Sequence, residues 1–188
     1  MNNRVTKFLL ETNVITSDEI EIYQYGFDLI VKIIIHTFLI LIIGFLFGHF
    51  LEMVSFLVTY AWLREYAGGY HARTSKGCYY CTILVTIFVL VMFFIFRQLN
   101  VGLICICMLI SGIVIWRGSP QEAPTKPLSE KEKVIYRKKT RSILLCLAVI
   151  FGIGCILSRE VAVGIVCSWI VQMAMLFFGR YFAKKYTV

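Results

Sequence analysis

His71 and Cys78 stand seven positions apart and together supply the minimum for thiol chemistry. A thiolate attacks a carbonyl, and a nearby imidazole takes the thiol proton and later returns it to the leaving amine. Both lie where most of the polar chemistry clusters, Arg64 to Cys78, REYAGGYHARTSKGC. On one straight helix the two would share a face but stand about 10 Å apart along the axis. A working pair therefore requires the chain to bend between them, and Thr74, Ser75 and Gly77 permit a bend. Cys78 would then open the helix that begins near Tyr79. A helix N-terminus favours a thiolate, and its unpaired N–H groups can hold an oxyanion. Arg64 can hold a carboxylate or that oxyanion. Glu65 can orient His71 or simply pair with Arg64, and Gly68-Gly69 reads as a turn. Two other readings stay open. Cys78 and Cys81 form a C-x-x-C, a redox pattern that becomes three zinc ligands if His71 is added. His71 can equally be an ordinary interfacial residue, and Cys81, one turn deeper, a packing residue.

The elements that must carry this stretch are membrane helices. Of 188 residues, 59% are hydrophobic and 16% charged, and mean hydropathy is +0.79. Soluble domains average about 45–50% apolar and about 25% charged, and a chain this small cannot hide the excess from water. A soluble enzyme, a disordered chain and a secreted disulfide scaffold are excluded. The seven cysteines are an odd number, and five of them (Cys105, Cys107, Cys146, Cys155, Cys167) lie inside apolar runs, where cysteine is a small hydrophobe. The expected fold is all-α, a polytopic integral membrane protein. Five runs are long enough, or nearly so, to span: Leu29–Phe50, Tyr79–Phe96, Val101–Trp116, Ile143–Leu157 and Val161–Phe178. Met53–Leu63 is short, and is either a sixth crossing or a hairpin that dips without crossing.

Charge orients these spans. The net charge of +8 comes from bases placed between apolar runs, which signals topology rather than nucleic acid. The basic loop 117–142 holds Arg117, Lys126, Lys131, Lys133, Arg137, Lys138, Lys139 and Arg141, and the C-terminal end holds Arg180, Lys184 and Lys185. Placing both in the cytoplasm also puts the 64–78 segment there. With Arg4 and Lys7 inside, the parity gives six transmembrane helices with both termini cytoplasmic. Residues 1–28 read as an N-terminal arm. Thr16 to Glu19 fits a capping box, and Val5, Phe8 and Leu9 form one face of a short interfacial helix. All three prolines fall in the first half of the 117–142 loop, which should not be helical, while Ser129 to Glu132 reads as a fresh helix start. His36, His49, Glu52 and Gln172 are polar residues in or beside apolar runs. Such residues are functional candidates or serve in hydrogen bonds between helices.

The Leu63–Cys78 string resembles the core pattern of the AgrB family, membrane cysteine endopeptidases of Gram-positive quorum-sensing systems. The pattern runs Arg, Gly, His-Ala and a Cys seven after the His, and Arg64, Gly69, His71 and Cys78 match it. Ala123-Pro124-Thr125-Lys126-Pro127, followed by the basic run Arg137, Lys138, Lys139 and Arg141, resembles the family's proline-containing loop. The resemblance implies catalysis by His71 and Cys78 at the cytoplasmic face of the bacterial cell membrane, with no cofactor and no metal. It implies an AgrD-type propeptide as substrate, with an acidic C-terminal part that the basic run attracts. It implies a thioacyl-enzyme displaced by the peptide's own Cys or Ser to give a cyclic thiolactone or lactone. Membrane lipid and a homodimer complete the expected partners. The competing class is a small membrane peptide transporter or exporter without covalent catalysis, in which His36, His49 and Gln172 would matter more than Cys78.

Overall fold

The computed structural model describes residues 8, 10, 12, 16–70, 75–122 and 128–185, with backbone alone at 17, 29, 75, 76, 78 and 183–185. Among the described residues the chain is helical and contains no strand, only a single bridge between Gly68 and Gln121. It divides into two units, residues 1–43 and 44–188.

In the first unit Glu19 closes the expected cap. Its carboxylate accepts the Thr16 N–H and hydroxyl, each at 2.9 Å, and these bonds hold its pKa below the usual carboxylate value. A 3-10 turn, Ser17–Glu19, leads into helix α1, Ile20–Leu46. The expected span Leu29–Phe50 is therefore displaced, and the arm does not extend to residue 28. The helix starts nine residues earlier, at its cap, and stops at Leu46. Gly48 adopts φ +69°, and its N–H and that of His49 close onto the Phe45 and Gly44 carbonyls at 3.1 and 2.8 Å, a left-handed glycine stop. Val5 and Leu9 lie outside the described residues.

The second unit continues with α2 (Phe50–Ala67), α3 (Ser75–Gln98), α4 (Val101–Gly118), α5 (Glu130–Leu157) and α6 (Arg159–Lys185). The cap at Ser129 is the one the sequence indicates, and Asn100 supplies another. Asn100 accepts the Leu103 N–H at 2.9 Å, and Ser129 and Glu132 form a capping box at the start of α5. Residues 119–122 and 128–129 are not helical, as the prolines require; Pro124 and Pro127 lie outside the described residues. Cys105, Cys107, Cys146, Cys155 and Cys167 are free thiols.

Among the described residues five helices are long and apolar enough to cross a membrane: α1, α3, α4, α5 and α6. Helix α6 is the most enclosed of them, with every residue from Ala162 to Trp169 buried, so it is the axis of the bundle. Helix α2 packs most extensively against α6. At Gly164 a β-carbon would overlap Ser55 Oγ and crowd the Glu52 carbonyl, so the glycine lets two backbones approach. The weak stretch Met53–Leu63 is thus the middle of an 18-residue helix, about 27 Å long at 1.5 Å per residue. Its charges depress its apolarity, yet Met53, Phe56 and Leu63 are core residues.

Polar groups at the α2 N-terminus are buried and paired. His49 and Glu52 are each 1% exposed, with Nδ1 and Oε1 3.1 Å apart. Arg97, at the end of α3, reaches the same Glu52 oxygen at 2.7 Å and lies 3.9 Å from Glu160 on α6. Phe93 and Phe94 close over the imidazole. For Glu52 the interhelical-bonding expectation holds, through Arg97; the His49 imidazole is paired instead with Glu52 of its own helix. The opposite end of the bundle gathers the C-terminal ends of α2, α4 and α6 with the N-terminal end of α5. There Arg180 bonds the Gly118 carbonyl at 2.8 Å and Tyr66 meets Tyr136 edge-on.

Candidate functional site

At that end α2 stops and the polar stretch begins. Gly68 and Gly69 adopt φ +71° and +126°, where side chains are strained. There is also no room: a β-carbon on Gly69 would overlap Arg64 Nη1 and meet the Met175 carbonyl oxygen at 3.2 Å, and one on Gly68 would overlap the Gln121 oxygen. The turn is held from three directions. Half-buried Arg64 donates from Nη1 to the Gly68 carbonyl at 2.7 Å and from Nη2 to the Tyr70 carbonyl. Gln172, fully buried on α6, donates to the same Gly68 carbonyl at 2.8 Å. The Tyr70 N–H bonds the Met175 carbonyl and the Gln121 N–H bonds the Ala67 carbonyl, both at 3.0 Å. The three residues before position 71 are therefore fixed to α2, α6 and the segment after α4.

His71 lies outside the described residues, as do Ala72, Arg73, Thr74 and the side chain of Cys78. The backbone places Cys78 fourth in α3 as described from Ser75, close to the N-terminal end of that helix. Helix α3 is described from Ser75 onward, so the expected bend between positions 71 and 78 falls on residues outside the described ones. Glu65 is exposed. Arg64 differs from the sequence expectation, because its guanidinium is engaged by main-chain carbonyls of its own turn.

The basic run does not form one patch. Lys139 lies 4.7 Å over the Tyr66 ring, beside the Arg64 turn. Arg141 stacks on Trp116 of α4 at 4.8 Å. Arg137, Lys138 and Arg141 line a groove of about 290 Å³ with Val134, Ser142 and Leu145. Nearby, Lys133 binds Glu122 at 2.7 Å and Glu130 at 2.8 Å, and the ammonium holds the Glu122 carboxyl below its ordinary value. The proline loop 123–127 lies outside the described residues.

Two contributors escaped the sequence reading of the site. Gln172 stood out only as a polar residue in an apolar span, which is the signal that could have found it. Nothing in the sequence marks Gln121, whose part is played by its backbone.

The family model for accessory gene regulator B, AgrB, matches residues 2–177. An AgrB-like protein of Clostridium perfringens is 32% identical over 131 residues, covering 66% of this chain and 61% of the relative. AgrB-like protein 2 from a second strain of that species is 30% identical over 131 residues with the same coverage. AgrB-like protein 1 of that second strain is 27% identical over 143 residues, 76% of this chain and 74% of its own. The chain thus spans 61% of the length of the first two relatives. No solved structure matches it.

Proposed function

Because the chain belongs to the AgrB family, we propose that it is a membrane cysteine endopeptidase that cuts an AgrD-type propeptide and closes the product into a ring. The observation that carries this reading is the turn before position 71. Arg64 and Gly69, which match the family pattern beside His71 and Cys78, interlock there: the guanidinium occupies the space that only a glycine leaves empty. A turn fixed by two helices and a loop segment is the support that a preorganised general base needs.

In the proposed reaction the Cys78 thiolate attacks the scissile carbonyl while His71 holds the thiol proton. The C–N bond breaks, the proton passes to the leaving amine, and a thioester remains on Cys78. A Cys or Ser of the same peptide then attacks that carbonyl and gives its proton to His71. The bond to Cys78 breaks and the thiolactone or lactone leaves. The exchange to thiolactone conserves an activated acyl bond and needs no nucleotide. Intramolecular delivery and a site shielded from water favour closure over hydrolysis. Lys139, beside the turn, is the base best placed to attract an acidic tail. We assign α2 as a sixth crossing, with both chain ends and the 64–78 segment cytoplasmic, on the distribution of basic residues.

The test is co-expression with a tagged propeptide. Cys78→Ser and His71→Ala should accumulate in the membrane without cleaving, and Cys81→Ser should cleave. Cleavage by Cys78→Ser sinks the reading and favours an exporter without covalent catalysis.

A further inference from the structure

We propose that Arg137, Lys138, Arg141 and Ser142 form a headgroup site for an anionic phospholipid whose acyl chain lies along the outer side of α5. The inference is independent of the thiol chemistry.

The geometry begins with helical spacing. Val134, Arg137, Lys138, Arg141, Ser142 and Leu145 recur every three or four residues, so they share one face. The buried side of α5, Thr140, Ile143, Leu144, Leu147, Phe151 and Gly154, is the opposite one. The groove therefore opens away from the bundle. Continuing along the same side, Leu145 is 60% exposed, Val149 63% and Ile156 84%, and a β-carbon on Gly152 would meet nothing within 4 Å. From Ser142 to Leu157 this lane is about 22 Å long at 1.5 Å per residue, most of the depth of a bilayer's hydrocarbon core. The three cations sit just beyond its polar end, at headgroup depth. Charge above and an apolar lane below is the shape of an amphiphile.

The cations are also available. Among the described residues none of the three is paired with a carboxylate, whereas Lys133 is held by two. Arg141 is oriented by its stack on Trp116. A planar guanidinium of fixed orientation suits phosphate. An acidic peptide would satisfy the charges but leave the lane below them uncovered, so the observations favour lipid.

The full chain would be reconstituted in phosphatidylcholine nanodiscs with a minor fraction of phosphatidylglycerol, and the lipid co-released with the protein counted by mass spectrometry. Phosphatidylglycerol should be enriched over phosphatidylcholine. The exposed pair Arg137→Gln/Lys138→Gln should lower the enrichment about fivefold per charge removed, roughly twenty-five-fold together. Arg141→Lys, which keeps the charge but loses the planar fork, should lower it less. Lys131→Gln, outside the groove, should leave it unchanged. Equal retention of the two lipids overturns the proposal, as does enrichment that the double variant keeps. Displacement of the lipid by millimolar inorganic phosphate reassigns the groove to a free anion and also overturns it. Displacement by an acidic peptide at micromolar concentration overturns it in favour of a peptide site.

Discussion

Gly69→Ala is the most searching single perturbation of the turn. At φ +126° a non-glycine residue costs on the order of 1–3 kcal/mol. The added methyl also overlaps Arg64 Nη1 and presses on the Met175 carbonyl at 3.2 Å. The guanidinium must then leave, losing its bonds to the Gly68 and Tyr70 carbonyls, each worth about 1.5–3 kcal/mol as a bond to a charged group. Strain and one lost bond already amount to about 3 kcal/mol. That sum falls below the ~5–15 kcal/mol that holds a typical domain together, so the turn should yield and the bundle should survive. If the native turn geometry is needed in the transition state, about 3 kcal/mol slows cleavage roughly hundredfold. The assay is propeptide cleavage in membrane vesicles, normalised to the amount of enzyme in the membrane. Gly26→Ala is the control, because a β-carbon there meets nothing within 4 Å. Cleavage by Gly69→Ala within threefold of the native rate would refute the claim that this turn positions the chemistry.

Two further outcomes rest on other contacts. Gln172→Met keeps the side chain's length but removes the donor to the Gly68 carbonyl. With Arg64 still in place the loss is about 1 kcal/mol, so single-turnover thioester formation should slow by roughly fivefold while propeptide binding holds; an unchanged rate would reduce Gln172 to packing. Glu52→Ala strands His49 and Arg97. Glu52 is buried but Arg97 is 42% exposed and can turn to solvent, so the loss is about 1–3 kcal/mol, that of leaving a buried polar partner unpaired; Tm in mild detergent should fall by about 5 °C, and a fall of less than 2 °C would contradict the burial argument.

What the sequence revealed follows the distance over which each feature is decided. The caps at Thr16 and Ser129 are set within three residues, and the structure has helix starts at both. The all-α membrane fold follows from apolar runs. Helix α2 was harder to read. Its depressed apolarity comes from Glu52, Arg64 and Glu65, and what makes Glu52 acceptable inside is Arg97, forty-five positions later. The turn before His71 was legible as glycines but not as a clamp, because Gln172 lies 104 residues from Gly68. The run Arg137 to Arg141 reads as one patch on paper. The 100° step of a helix separates Lys139, over Tyr66, from the groove cations on another side of α5.

The central place of α6 bears on the order in which a ribosome delivers the chain. Helix α2 emerges early, yet the neighbour it packs against most, the α6 backbone around Gly164, is made about a hundred residues later. Gln172 and Met175, which fasten the Gly68–Tyr70 turn, arrive at the same late moment. Until then the turn has only Arg64 and the loop to hold it, and the inward face of α2 waits uncovered. A nascent chain lacking α6 would therefore carry every residue of the His71–Cys78 stretch and still lack the contacts that hold the turn before it.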